Sequence, residues 1–480
     1  MTKTEQNPLH AAYWVGETSP EPLALFRIAL GLSLLHDTLN FAPNIATFLS
    51  DEGILPREAL LDRSGFSVFY WVGSPAATIA VFALGACALL AFTLGYRTRM
   101  AAALSFLFVV SIKNRNLYID DGGDDLVRNL LFLSMFADLG GCYSLDVRSG
   151  RRARGSVAAL GLRFLQLHIA LLYFCAARLK FRAGWLKQNV IYRCLQLLGF
   201  VRPPGALLAR FPALCYVLGL VTLSLEWAFA FLALSPVFVR VCRALAIAAS
   251  LGVQLGILAT MRVGIFTEVM LVVNFLFVPA EWIQAVETWL RRRLYSSQPR
   301  PPLPSVAQRV PTWGTTLSQQ PALCAMAFVL SLNFVLMAWG PFVGRRFPLP
   351  ASIGIPRRML TLDQPFGLFD RIYPGPTWAA VGTLPGGQRL DVLSATVPEL
   401  VPHVAWSFSR WYKFTFVVQD HPFPYEHLAN YLCKLYRERT KHTLASIAVT
   451  QTLTLPHYPN QPPAPAETRL LIQQRCVDAP

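Results

Sequence analysis

Val157-Ala-Ala-Leu-Gly-Leu-Arg-Phe-Leu-Gln-Leu-His-Ile-Ala-Leu-Leu-Tyr-Phe174 is apolar enough to lie in lipid, and it runs directly into Cys175-Ala-Ala-Arg178-Leu-Lys180-Phe-Arg182-Ala-Gly-Trp185. A transmembrane helix needs roughly 20 predominantly apolar residues, so 157–178 reads as a membrane span with cations at its end. Charge in that position is costly unless it faces a cavity or a partner, which makes Lys180 and its neighbours functional candidates.

The rest of the chain has the same texture. Of 480 residues, 54% are hydrophobic and 15% charged, too apolar for an ordinary soluble domain. The expected fold class is an α-helical polytopic membrane protein of about 8–9 transmembrane helices, with a small C-terminal α+β extramembrane domain. The candidate spans are 22–44, 75–95, 100–113, 125–139, 157–178, 212–235, 239–260, 265–290 and 320–342. The first twenty residues are polar, so no cleavable signal peptide is expected and the first apolar run stays as a signal anchor. The expected organisation is a polar segment 1–21, a transmembrane domain 22–290, a proline-rich linker 291–319, a last helix 320–342 and the α+β domain 345–480.

The formal charge of +16 does not call for nucleic acid. The arginines fall in short clusters between apolar runs, the pattern that orients membrane proteins. Arg97 and Arg99, Arg148 to Arg154, Arg240 and Arg243, and Arg291 to Arg293 fall on one side if the N-terminus is cytoplasmic. The opposing loops 46–74, 114–124 and 179–211 and the C-terminal domain then lie outside. The loop 179–211 is basic against this rule, at Arg182, Lys187, Arg193, Arg202 and Arg210, and anion binding would account for it. No CxxC pair or metal site is signalled. Cys433 and Cys476 are the cysteines of the tail, and a disulfide between them is open if the tail is extracytoplasmic.

In the tail, Trp378-Ala-Ala-Val-Gly, Lys413-Phe-Thr-Phe-Val-Val and Ser446 to Thr454 are β-prone, Pro385-Gly-Gly signals a turn, and Pro424 to Thr440 reads as an amphipathic helix.

Several charged residues need partners. Arg27 and Asp37 are ~15 Å apart along one helix and cannot pair with each other; Arg27 snorkelling and Asp37 capping a broken helix is the bland alternative. Asp124 stands four residues before Arg128, which suggests an intrahelical pair at a helix start rich in glycine and acid, Gly122-Gly-Asp-Asp125. Glu226, Asp37 and Asp124 are candidate partners for Lys180, Arg27 and Arg128. His168 reads as a packing residue. Lys180 is either an interfacial anchor beside Trp185 or a desolvated amine able to act as a general base.

Arg27-x3-Gly31-x5-Asp37, Leu94-Gly-Tyr-Arg97, Asp138 with Ser144-x-Asp146, Lys180-x4-Trp185 and the acid Glu226 together resemble the vitamin K-dependent γ-carboxylase and its bacterial relatives, the horizontally transferred transmembrane (HTTM) domain family. The similarity covers about residues 20–290, and Leu362 to Phe369, Arg410-Trp and Tyr431 to Lys434 resemble the extension of bacterial members. The resemblance implies a lyase-class, quinol-linked carboxylase or epoxidase-like activity using a reduced quinone with O2 and CO2, without a metal. It makes Lys180 the general base, with Asp124 and Arg128 at the catalytic site and Arg27, Asp37, Glu226 and Trp185 as supports. It further implies a bacterial inner membrane protein acting on a peptide or protein substrate on the extracytoplasmic side. Two carboxylase histidines fall on Gly123 and Gln254 here, and bacterial members match the Gly122-Gly123-Asp124 and Arg128 pattern instead. The alternative is a non-enzymatic membrane partner or maturation factor built on the same helices.

Overall fold

The computed structural model describes residues 7–60, 65–294, 372–400 and 406–476. The linker beyond residue 294, the candidate span 320–342 and Leu362 to Phe369 lie outside the described residues.

The bundle is made of α1 (Glu21–Phe41), α2 (Pro75–Leu94), α3 (Thr98–Arg115), α4 (Gly122–Ser134), α5 (Ala159–Arg182), α6 (Pro212–Leu232), α7 (Val239–Thr260), α8 (Phe266–Val272) and α9 (Ala280–Leu294). Local chemistry sets the ends. Ser74 Oγ accepts from the Ala77 N–H with Pro75 just inside the start of α2, and Gly95 closes the same helix in the left-handed region at φ 68°.

Among the described residues five helices are long and apolar enough to cross a membrane, or six if the bent pair after α7 is one span. Of the nine candidate spans, 320–342 lies outside the described residues, and the candidates that do not form a single long apolar helix are 100–113, 125–139 and 265–290. Helix α4 has 13 residues, about 20 Å of helix against a hydrocarbon core of about 30 Å. Helix α3 is diluted by Arg99, Lys113 and Arg115. The run 265–290 turns through 94° around Pro279, which cannot continue the preceding helical ladder.

The two ends of the bundle differ. At one end Arg154 lies 3.8 Å from Glu21 and 3.7 Å from Glu287, Tyr143 donates to Glu287, Arg152 pairs with Asp138 and Arg240 with Glu281. The basic clusters therefore gather on one face, as their alternation in sequence indicates. The other end carries the C-terminal region.

That region holds a four-stranded antiparallel sheet in the order β4-β3-β5-β6, from β3 (Gly375–Thr383), β4 (Arg389–Asp391), β5 (Ser446–Thr454) and β6 (Glu467–Arg475). The short β1 (Glu17–Thr18) and β2 (Val157–Ala158) pair with each other near the N-terminus. Trp378 and Ala380 of β3 and Ile447, Val449 and Gln451 of β5 are buried on alternate positions, the period-2 pattern of a one-sided sheet. Helices α10 (Arg410–Val417) and α11 (Tyr425–Thr440) cover this face.

Helix α10 corrects the β expectation for 413–418. Its aromatics serve two helical faces. Trp411 and Phe414 meet Phe48 with ring centroids 4.9 and 6.5 Å apart, and Tyr412 and Phe416 both meet Phe200 at 5.1 Å. Tertiary packing thus overrides a weak local β propensity.

Cys433 on α11 and Cys476 after β6 form a disulfide across 43 residues. Loop-closure entropy gives about 4 kcal/mol for such a cross-link, and native disulfides of small domains contribute about 2–5. The variant C433S is expected to unfold the C-terminal region at lower denaturant by about 2–4 kcal/mol, read from tryptophan fluorescence in urea. An unchanged midpoint would show that the cross-link contributes nothing.

Candidate functional site

Helix α5 ends in a Schellman turn. The Trp185 N–H donates to the Lys180 carbonyl at 3.1 Å and the Gly184 N–H to the Phe181 carbonyl at 3.2 Å, with Gly184 left-handed at φ 68°. This turn brings the third-last helical residue against the second residue beyond the cap. Here the two are Lys180 and Trp185, and the ammonium lies 5.6 Å from the indole ring centre. The Lys-x4-Trp spacing is therefore the spacing of a helix stop that places a cation over an aromatic face.

Glu226 on α6 completes the arrangement. Lys180 Nζ donates to Glu226 Oε1, and the two residues are 7% and 5% exposed. Both line a cavity of about 190 Å³. Its other walls are mostly apolar, including Val190, Leu225, Val253, Ile257 and Met261. Val221, Gly252 and Gly256 also line it and are exposed, so it opens between α6 and α7 on the outer flank of the bundle. Lys180 thus sits buried on the wall of an apolar pocket and not at a solvated helix end.

A second charged group forms where the C-terminal region docks. Arg410 of α10 donates to Asp37 at 3.1 Å and to Asp124 at 2.5 Å, and lies 3.6 Å from Asp121. It also donates to the Ile119 carbonyl at 3.0 Å. Asp121 is the N-cap of α4, accepting from Gly123 and Asp124, while Asp124 accepts from the Asp121 N–H. Beside them Lys113 contacts Asp120 and Asp125, each at 2.5 Å. The expected Asp124–Arg128 pair is not what forms: Arg128 bonds Asp125, three residues before it, and Asp124 turns to Arg410. Asp37 likewise pairs with Arg410 and caps no helix. Asp37 and Asp124 line a smaller cavity, which shares no lining residue with that of Lys180.

Burial in this group, then Asp124, pushes the Asp121 carboxyl up to about 7, while Arg410 pulls the other way. Burial would raise Asp124 too, but Arg410 holds it below the usual range. A carboxyl raised in the fold binds more protons than in the unfolded chain, so its contribution to stability falls as pH rises from about 4 to 7. The variant D121N, which keeps a capping side chain, is expected to lose this slope: melting temperatures at pH 5.5 and 8 should converge relative to the parent. An identical slope in D121N would show that Asp121 is not the titrating group.

The basic loop 179–211 is a docking surface. Arg193 donates to the Pro456 carbonyl at 3.0 Å and Gln196 exchanges hydrogen bonds with His457. Arg202 donates to the Leu258 carbonyl. Arg193 and Arg202 therefore satisfy backbone oxygens, which corrects the expectation of anion binding for these two.

The family model described as "HTTM domain" matches residues 16–282, more than half of the chain. The chain belongs to the HTTM domain family. No curated protein and no solved structure matches it.

Within the HTTM domain most of the motif residues build the basic end of the bundle. Arg27 is fully buried and donates to the carbonyls of Leu139 and Tyr143, so it does not snorkel, and among the described residues it pairs with no acid. Asp146 accepts from the Arg97 and Thr98 N–H groups and from Thr98 Oγ1, capping α3. Gly123 is glycine because a Cβ there would come within 2.6 Å of the Phe266 backbone nitrogen. Gln254 donates to Tyr173, and His168 is buried within α5. Arg410 lies beyond residue 282, and its weight in the polar network could be read in sequence only from the Arg410-Trp pair that resembles the bacterial extension.

Proposed function

We propose that this HTTM protein is a membrane enzyme that removes a proton from a reduced quinone or a similar hydroxylated ring at the Lys180–Glu226 pair, in quinol-linked carboxylase or epoxidase-like chemistry. The observation carrying this reading is the buried ion pair on the wall of an apolar cavity open to the lipid-facing flank. A cavity of about 190 Å³ is below the roughly 300–1,000 Å³ of pockets that enclose whole ligands. It suits a ring whose tail leaves between α6 and α7. When bound, a reduced quinone would supply, with O2, the strong base that capture of CO2 by an acidic carbon requires. Lys180 is the general base and the later counter-ion, Glu226 holds it in place, and Trp185 offers a ring face and excludes water. Asp124 and Arg128 fix the outer end of α4 around the Arg410 cluster.

The same proposal places the protein in a bacterial inner membrane, with the basic end cytoplasmic and the disulfide-bearing region extracytoplasmic. The cross-link supports this orientation because disulfides persist in oxidising compartments. A peptide or protein substrate would then approach from the docked sheet. The alternative is a non-enzymatic membrane partner or maturation factor. The structural duties of Arg27, Asp146 and Arg128 favour it, since they need no chemistry.

Purified full-length protein in detergent is expected to bind a short-chain naphthoquinol with at least tenfold loss in K180A, while K180A retains its helical circular dichroism. Equal binding by K180A and parent would remove the base assignment and favour the alternative.

A further inference from the structure

We infer that Glu226 is the proton sink of the cavity: the proton taken from a bound hydroxyl ends on its carboxylate, leaving Lys180 as the ammonium that holds the oxyanion. This rests on the base reading above and assigns the half of the reaction that reading leaves open.

The argument starts from charge. An ion-paired lysine is an ammonium with three N–H donors and no lone pair, so it can serve as the base only by passing a proton on as it takes the ligand's. Glu226 is the group placed to receive that proton. Its Oε1 accepts from Lys180, whereas Oε2 is buried and has no hydrogen-bond partner among the described residues. A buried carboxylate oxygen without a donor is costly, and a hydroxylated ligand in the cavity would supply that donor. Cys194 also lines the cavity, but a neutral thiol is no base.

The balance closes without a further reactant. The ligand O–H bond breaks, an O–H bond forms on Glu226, and the pair passes from neutral to singly positive beside a singly negative oxygen. A relay, in which Lys180 first gives its proton to Glu226 and then takes the ligand's, ends in the same state. The remaining route starts from neutral lysine beside ionised Glu226 and leaves an uncompensated negative charge in an apolar pocket. The routes that keep the cavity neutral therefore finish with a protonated Glu226.

The test uses the full-length protein in detergent and 1-naphthol, whose absorption separates naphthol from naphtholate, with infrared difference spectra on binding. The parent is expected to gain naphtholate absorption together with the C=O stretch of a protonated carboxylic acid. That band should be lost in E226Q and persist, shifted, in E226D. Naphtholate without the band, or a band unchanged in E226Q, would overturn the assignment while leaving the base reading intact. If the parent neither binds nor ionises naphthol, or K180A does so equally, the base reading fails and the sink with it. The paired variant K180M/E226Q removes both charges, which buried pairs tolerate better than loss of one; it should fold and form no naphtholate, and naphtholate there would also overturn the proposal.

Discussion

Replacing Arg410 with methionine is expected to release the C-terminal sheet from the bundle, at a cost of about 3–5 kcal/mol, the usual effect of removing one partner from a buried ionic group. Arg410 is the cation that Asp37, Asp124 and Asp121 share at the docking face. Burial alone would ease its proton off, yet Asp124, Asp37 and Asp121 hold the guanidinium charged well beyond its ordinary range. Without it the carboxylates face one another in a poorly hydrated space. Trp411 and Phe414 leave Phe48 if the region undocks, so tryptophan fluorescence and limited proteolysis both report the event. R410K should fall between parent and R410M, since an ammonium keeps the charge but loses the fork that spans two carboxylates. Adding D37N to R410M should recover part of the loss. Parent-like proteolysis of R410M would show that the aromatic contacts dock the region without the ionic group.

The second large effect is expected at Lys180 and Glu226. Either E226A or K180A leaves one buried charge without its partner and should lower stability by about 3–5 kcal/mol. The double variant K180M/E226L should lose much less than the two single losses together, because both charges leave and apolar volume is restored. Thermal melts of the four proteins in one detergent give the coupling directly. Additive losses would mean that the two side chains are hydrated separately, which would remove the physical basis for a reactive pair.

Much of this was legible in the chain. The apolar runs, the alternation of basic clusters, the β-prone runs at Trp378 and at Ser446 to Thr454 and the amphipathic helix α11 all follow from local periodicity, which depends on residues close in sequence, whereas the pairing of those strands does not. Lys180 with Glu226 was also within reach, since two lone opposite charges in apolar helices need partners and each was conspicuous. The number of spans was less readable. Hydropathy cannot distinguish a helix that crosses a bilayer from a short one such as α4, which is buried by its neighbours.

Spacing was misleading where a distant partner competed with a near one. Asp124 and Arg128 have the separation of an intrahelical pair, yet Arg410, 286 residues away, takes Asp124. Arg27 looked like a charge seeking an acid and found two carbonyls instead, because a guanidinium with several donors can be satisfied by backbone oxygens at a helix end.

By itself, then, the sequence determined that the protein is a helical membrane protein of the HTTM kind with a lysine held at a helix stop, because a glycine at Gly184 and an aromatic at Trp185 fix that turn locally. Only the tertiary structure decided which charges meet. Desolvation makes each buried ion depend on whatever partner the fold carries to it, and in this chain those partners arrive from 46 residues away at Lys180 and from the far end of the chain at Asp37 and Asp124.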